Sequence, residues 1–292
     1  MADTMMTFKN NDLATKFMTM DELKKACPVA FMTEPTNPNV SDKYIQANTA
    51  TVIEDLGKLG WYPTDAKQCR PKKGSSGIRS FHMISFQNPD VKICKKVTDE
   101  NGDTTEIVDS YPRIILTNSH DGFNSFKFML GIFRLVCSNG LVVCDNQMVN
   151  MTIRHINYTF DELRRIVAQA IEQVPEIVNT MNKMRNVELS HNEKMEIAKE
   201  MFKIRKGYDE NDNVQVDEET LEDILTPVRE EDKADDLWTV FNICQEKMIK
   251  GGFSATGKNN KARKQRGITS IKKDMDYNQR LWGVASRYLA AA

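Results

Sequence analysis

The chain has 292 residues, and its 40 lysines and arginines nearly balance 41 aspartates and glutamates, which leaves a formal net charge of -1. This balance excludes a global electrostatic attraction to nucleic acid, so any such binding depends on a local basic patch. Six cysteines without a CxxC pair, and no apolar segment at the N-terminus, predict reduced thiols and a cytoplasmic protein. No apolar run reaches the roughly 18 residues that a membrane-spanning helix needs, so no membrane partner is expected.

The N-terminal part is predicted to be helical after a flexible leader. Residues 1–18 lack hydrophobic periodicity, and a single domain is expected over residues 19–292. A capping box at Thr19–Glu22 predicts a short helix that ends before Pro28. Apolar residues at helical spacing within Val52–Leu59 predict a second helix.

Between residues 79 and 157 the pattern changes to short β-branched and aromatic runs separated by turn residues, which is typical of strands. Asn101–Gly102 and Asn139–Gly140 are predicted hairpin turns, because both residue types tolerate positive φ. Helical spacing returns over residues 159–292, with capping boxes at Thr159–Glu162 and Ser190–Glu193. The predicted fold is therefore α+β: an antiparallel sheet packed with flanking helices that are mostly C-terminal.

Two segments of opposite charge interrupt the C-terminal helical region. Residues 209–236 contain thirteen acids and two bases and are predicted to form a solvated acidic insert around a short helix. Residues 251–273 form a predicted basic loop, because nine lysines and arginines and no acid lie from Lys247 to Lys273. Its four glycines would let backbone amides approach an anion, while the flexible cations follow a phosphodiester backbone.

The basic loop, together with a second basic turn near residues 70–79, predicts a groove for nucleic acid. Phe253 could supply a surface on which bases stack, whereas the phase of Trp282 with its apolar neighbours fits a core position better. The alternative interpretation is a solvated surface loop. The predicted nucleic-acid-binding residues are Lys258, Lys261, Arg263, Lys264, Arg266, Arg70, Lys72, Lys73 and Arg79.

Polar residues embedded in the most apolar stretch, residues 111–144, and in the strand that follows it predict a central polar cluster. Arg134 shares a strand face with apolar residues, so its charge needs a partner such as Asp121. Ser119 and His120 are adjacent and would face opposite ways on a strand, which argues against a nucleophile and base pair; Cys137 near a histidine is left open. The predicted cluster comprises Asn118, Ser119, His120, Asp121, Arg134, Asn139, Arg154 and His155.

Imidazole and carboxylate groups suit zinc, iron or manganese, so four residues are candidate metal ligands. They are His82, His120, Asp121 and His155. Their spacing is not diagnostic, and histidines hydrogen-bonded within the sheet are the favoured interpretation. No metal or other cofactor is therefore assigned.

The central residues resemble a known family. The strings Leu116–Gly122, Gly131–Val143 and Ile153–His155, with Trp238–Glu246 and Asn278–Trp282 downstream, are similar to the phage- and plasmid-borne proteins grouped as domain-of-unknown-function family number 932. The resemblance covers nearly the whole chain apart from the acidic insert. It implies a mobile-element origin, a host cell cytoplasm as location and a single unit of characteristic length, and it implies no activity.

The leading prediction is a non-enzymatic protein that binds nucleic acid, preferably single-stranded DNA, in phage or plasmid DNA metabolism, with single-strand binding or annealing as its role. An interaction protein that binds and inhibits a host defence factor is the first alternative, with the acidic insert mimicking nucleic-acid charge. A metal-dependent hydrolase is the second. DNA against RNA preference and the oligomeric state stay open.

Overall fold

The structure, a computed structural model, describes residues 16–37, 48–69, 80–98, 101–122, 124, 126–134, 139–142, 151–153, 158–208, 215–256 and 262–292. The predicted α+β class is confirmed: two N-terminal helices precede a block of strands, and most helices follow it. The helices are α1 (Met20–Ala26), α2 (Thr49–Lys58), α3 (Phe160–Arg185), α4 (His191–Lys206), α5 (Glu218–Leu225), α6 (Leu237–Lys250) and α7 (Ile271–Ala291). The strands are β1 (Tyr62–Gln68), β2 (His82–Gln87), β3 (Ile93–Thr98), β4 (Thr104–Asn118), β5 (Phe126–Arg134), β6 (Asn139–Val142), β7 (Met151–Ile153), β8 (Ser254–Thr256) and β9 (Ala262–Lys264).

β4 lies at the centre of an antiparallel sheet that contains β1 to β7. Along one side, its first half pairs with β3 and its second half pairs with β2, beyond which β1 forms the edge. Along the other side it pairs with β5. β5 in turn pairs with β6 along its second half and with β7 along its first half.

Alternation of side chains along β4 gives the sheet two faces. On the first face, Ile114 and Leu116 pack in a core with α1, α2 and the start of α3. Leu130 and Ile132 of β5 join a larger core made by the rest of α3 and by α4 to α7. On the second face, Ile115 belongs to a small apolar cluster that Ile271 of α7 covers.

The predicted turn at Asn139–Gly140 is wrong. Asn139 pairs with Arg134 and Gly140 pairs with Phe133, so both residues belong to β6 rather than to the connection that precedes it. An Asn-Gly pair favours a tight turn, but here strand pairing over β5 overrides that local preference. Gly102, by contrast, lies in the turn between β3 and β4 with a φ of 86°.

The helix starts follow the predicted capping residues. Thr19 and Ser190 make complete capping boxes with Glu22 and Glu193, which confirms both predictions. Thr159 accepts a hydrogen bond from the Glu162 amide at the start of α3, which runs for 26 residues with Pro175 inside it. In the described part of the chain, no helix is both long enough and apolar enough to cross a membrane. Residues 1–15 of the predicted leader lie outside the described residues.

Candidate nucleic-acid interface

A two-stranded hairpin, β8 and β9, contains the described part of the predicted basic loop. Arg263 pairs with Ala255, and Lys264 pairs with Ser254. Ala255 is buried in the helical core, whereas Arg263, Lys264 and Arg266 are exposed. The hairpin thus packs on the core through Ala255 and presents its cations to solvent. The remaining cations predicted to contact nucleic acid lie outside the described residues: Lys258, Lys261, Arg70, Lys72, Lys73 and Arg79.

Close backbone packing holds the hairpin against the end of α6. Gly251 follows α6 with a φ of 74°, and a Cβ atom there would lie 2.5 Å from the carbonyl oxygen of Gln265. The amides of Gly251 and Gly252 donate to the carbonyl oxygens of Lys247 and Gln265, each at 2.9 Å. These two amides are therefore engaged within the protein, and the expectation that they would meet an anion is wrong.

The last turn of α4 adds two cations that sequence analysis missed. Arg205 Nη2 donates to the carbonyl oxygen of Arg266, and Lys206 Nζ donates to Gln265 Oε1 at 3.1 Å. Burial lowers the pKa of Arg205, and both burial and the charge of Arg205 lower the pKa of Lys206. The available signal was the cluster of basic residues directly before Gly207, which is typical of a helix C-terminus. We call Arg205, Lys206, Arg263, Lys264 and Arg266 the basic patch.

Phe253 and Trp282, the two aromatic residues considered as stacking surfaces, both lie in the core. Phe253 is fully buried, and its ring centroid lies 6.1 Å from that of Phe202 in α4. The suggested stacking role for Phe253 is therefore wrong, because its ring fills the core beneath the hairpin. Trp282 packs edge-on against Trp238 and Phe241, which confirms the core position predicted for it.

A second polar site lies where β2 and β4 end, at His82. His82 Nδ1 donates to the Ser80 carbonyl oxygen at 2.7 Å, which leaves Nε2 to accept from Thr49 Oγ1 at 3.1 Å. Thr49 Oγ1 itself accepts from Asn118 Nδ2 at 2.9 Å. Burial and, to a smaller extent, the nearby ring of His120 lower the pKa of His82 to about 4, although the hydrogen bond to Ser80 acts in the opposite direction. His82 is therefore neutral at physiological pH and links α2 to the sheet.

The residues after β4 continue this polar site. The His120 ring stacks on His82 with centroids 5.2 Å apart, and the His120 amide donates to Ser80 Oγ at 2.7 Å. Ser119 Oγ donates to Asp121 Oδ1 at 2.6 Å and accepts from Asn124 Nδ2 at 3.2 Å. Four of the predicted cluster residues, Asn118 to Asp121, thus lie together with His82.

The structure separates other predicted members from this site. Within the described residues, no three His, Cys, Asp or Glu side chains are grouped so that they could hold a metal ion. Arg154, His155 and Cys137 lie outside the described residues, and of Asn139 only the backbone is described. Arg134 is fixed at the opposite end of β5.

The partner of Arg134 is Asp232 and not Asp121. Arg134 Nη1 lies 2.7 Å from Asp232 Oδ1, and the two side chains are 7% and 3% exposed. Arg229 Nη1 donates to Asp232 Oδ2 at 3.0 Å and bridges to Glu246 of α6 at 2.7 Å. The four charges form one network between the sheet and the helices, with the Arg134–Asp232 pair buried and Arg229 and Glu246 partly exposed.

This network also corrects the interpretation of residues 209–236 as a solvated insert. Asp232 is buried, Asp217 caps α5, and Asp236 caps α6. Asp223 accepts a hydrogen bond from the Ser254 amide of β8 at 2.7 Å. The composition indicated a solvated segment, but several of its acids have specific structural partners, and one of them orients the basic hairpin.

Comparison with known proteins places these features in a family. Residues 39–282 match the family described as "Domain of unknown function (DUF932)". The UPF0380 protein YafZ of Escherichia coli (strain K12) is 28% identical over 279 residues, which cover 93% of this chain and 92% of that protein. The UPF0380 protein YfjQ of the same strain shows the same identity and coverage. No solved structure matches the chain.

Proposed function

The chain belongs to the DUF932 family of domains of unknown function, and we propose that it is a non-enzymatic protein that binds nucleic acid through the basic patch. The preferred ligand is single-stranded DNA, and the role is binding or annealing in phage or plasmid DNA metabolism. The observation that supports this proposal is the exposure of Arg263 and Lys264 on the hairpin and of Arg266 directly after it; these three residues are called the hairpin cations below.

The three hairpin cations are suited to phosphate contacts because no described acid forms an ion pair with any of them. Two lysines of α6 near the hairpin are neutralised, in contrast: the exposed Lys250 pairs with Glu246 at 3.0 Å, and the mostly buried Lys247 pairs with Asp223 at 3.6 Å. A cation that is not paired within the protein releases counterions from a phosphate without first breaking an internal contact. Arg205 and Lys206 extend the same charge toward α4.

The position of the acidic segment favours this proposal. Asp223 of α5 binds the first residue of β8 through its amide, so an acid supports the base of the hairpin while the cations point outward. Asp232, which is buried, pairs with Arg134, and Asp236 caps α6, so the two carboxylates already have partners within the protein.

The test is fluorescence anisotropy with a short labelled single strand and the matching duplex at two salt concentrations. We expect salt-dependent binding of the single strand by the full chain. In the variant Arg263→Gln, Lys264→Gln, Arg266→Gln, affinity should fall at least about tenfold, and the slope of log affinity against log salt should decrease by about 2.

The matched control removes three exposed charges elsewhere, in the variant Lys96→Gln, Arg165→Gln, Lys183→Gln, which should bind like the unmodified chain. Absence of binding at low salt would contradict the proposal. So would equal loss of affinity in both triple variants, since that result would show a dependence on net charge and not on the basic patch.

A second proposal is an interaction protein that binds and inhibits a host factor. It is favoured by the exposed acids of α5, Glu218, Glu219 and Glu222, which form an acidic outer side of that helix. The test is capture of a stoichiometric protein partner from nuclease-treated host lysate. Loss of that partner in the triple variant Glu218→Gln, Glu219→Gln, Glu222→Gln, with capture kept in the basic-patch variant, would support this proposal over nucleic-acid binding.

A further inference from the structure

Arg113 is a buried cation on the second face of the sheet. It lies in the middle of β4, where strand pairing places it between Gln87 of β2 and Gly131 of β5. The residue is only 8% exposed. Because Gly131 has no side chain, the position beside Arg113 on β5 leaves the guanidinium room to lie along the sheet.

Two contacts fix the orientation of this guanidinium. Its Cζ atom lies 3.4 Å from the ring centroid of Phe133, so the planar group stacks face-on against the aromatic ring. Its Nε donates to Gln87 Oε1 at 3.2 Å. These contacts occupy one face and the Nε edge, and they leave the Nη1 and Nη2 edge, with four N–H donors, without a hydrogen bond to any described residue.

Arg113 also has no ion-pair partner among the described residues. Asp65 is the acid whose field acts on it, and the Asp65 carboxylate lies 3.7 Å from Lys67. Burial lowers the pKa of Arg113 to about 10, and Asp65 offsets this only in part. The other buried arginine in the described part of the chain, Arg134, is neutralised by Asp232, which it shares with the partly buried Arg229, and the partly buried Arg185 pairs with Asp109 at 3.0 Å.

A buried arginine is costly unless an anion compensates it, and the end-on edge of a guanidinium is the geometry that binds two oxygens of one phosphate or carboxylate. Ser85 lies on the same face, two residues from Gln87 along β2, and Asp65 of β1 pairs with it. We propose that Arg113, oriented by Phe133 and Gln87, is the anchor of a binding site for an oxyanion group of a small ligand. This site is on the sheet, away from the basic patch, and does not rest on the proposed function.

The test uses inorganic phosphate and acetate as probes of the full chain, with chloride at equal ionic strength as the reference. Arginine side-chain signals in two-dimensional NMR report on Arg113 directly. We expect saturable binding of one probe, with a shift of the Arg113 Nε–H signal. Phosphate binding alone would indicate a phosphorylated ligand, and acetate binding alone a carboxylate ligand.

The variant Arg113→Met removes the charge but keeps the length of the side chain, and we expect binding to weaken at least tenfold. Arg113→Lys keeps the charge and loses the fork and the stacking plane, so it should also bind more weakly. Arg165→Met, on the exposed side of α3, is the matched control and should leave binding unchanged.

Failure of both probes to bind saturably would overturn the inference, as would equal binding by Arg113→Met and the unmodified chain. If Arg113→Met does not fold, Arg113→Lys decides the question alone. The basic-patch triple variant should retain anion binding at Arg113, so loss of DNA binding in that variant and loss of anion binding in Arg113→Met are separate results.

Discussion

Arg134 and Arg113 lie in neighbouring strands and are buried to nearly the same extent, but their charges have different surroundings. Arg134 meets Asp232 at 2.7 Å within a network that reaches Arg229 and Glu246. Arg113 has an aromatic ring and an amide oxygen as partners and no described counter-ion. Burial alone therefore does not distinguish the two arginines; an internal anion does, because Arg134 has one and Arg113 has none among the described residues.

The largest expected effect on stability comes from removing the anion that compensates Arg134. Asp232→Asn leaves Arg134 and Arg229 in the interior with one negative charge fewer. We expect the free energy of unfolding to fall by about 3–5 kcal/mol, the range observed when one member of a buried pair is removed. Denaturant unfolding measures it.

The matched control is Glu230→Gln, whose carboxylate is 84% exposed in its pair with Lys233 and whose loss should change stability by less than about 1 kcal/mol. The double variant Arg134→Met, Asp232→Leu tests the cause. It should recover much of the loss, since an apolar pair leaves no uncompensated charge. A double variant as unstable as Asp232→Asn would show that packing, and not charge, dominates at this site.

His82 shows a third way to bury a base, by keeping it neutral, and it predicts an effect of similar size. Its pKa is about 4 in the folded protein and 6.5 in an unperturbed histidine. As the pH falls from 6.5 to 4, the unfolded state takes up a proton that the folded state does not, so stability decreases over this range. The loss is about 3 kcal/mol between pH 7 and pH 4.

Unfolding at several pH values measures this loss, and comparison with His82→Gln isolates it, because the variant lacks the titrating group and should lose less stability on acidification. His191→Gln is the control, since the His191 side chain is 57% exposed. An identical pH dependence in His82→Gln and the unmodified chain would contradict the assignment of His82 as a neutral buried histidine.

Local signals predicted most of the fold, and long-range pairing explains the exceptions. Capping boxes at Thr19 and Ser190 depend on residues three positions apart, so their sequence pattern is sufficient. The partner of Arg134 is 98 residues away, and no local pattern distinguishes Asp232 from the other acids of its segment. The predicted turn at Asn139–Gly140 was wrong for a related reason: pairing with β5, which the local sequence does not reveal, places both residues in β6.

The candidate sites show the same division. The basic loop was visible as a charge run, but Arg205 and Lys206 join it only through tertiary packing of α4 against Gln265 and Arg266. Arg113 gave no signal at all. An arginine after Tyr-Pro in a strand looks like many others, and its isolation from acids becomes apparent only once the sheet is assembled.

A smaller loss of stability is expected from a substitution at Gly251, where the basic hairpin packs against the end of α6. Gly251→Ala places a Cβ atom 2.5 Å from the Gln265 carbonyl oxygen at a positive φ, and we expect a loss of about 1–3 kcal/mol with displacement of the hairpin. Gly283→Ala, inside α7 with no heavy atom within 4 Å of the new Cβ, should instead stabilise by about 0.5–1 kcal/mol. Thermal unfolding of both variants measures the difference, and equal effects would mean that the hairpin adapts its backbone freely.

The smallest effect on stability is expected for removal of the Arg113 charge. Arg113→Met removes a buried charge that has no described anion and retains much of the apolar contact with Phe133. Stability should therefore change by less than about 1 kcal/mol, and an increase is the more informative outcome, because the native charge then costs free energy in the unliganded protein. Arg134→Met measured in parallel should be destabilised by about 3–5 kcal/mol, since it leaves Asp232 buried with one cation fewer. If Arg113→Met were as unstable as Arg134→Met, the Arg113 charge would stabilise the folded protein as the Arg134 charge does. A bound ligand would then not be needed to explain why an arginine is buried at this position.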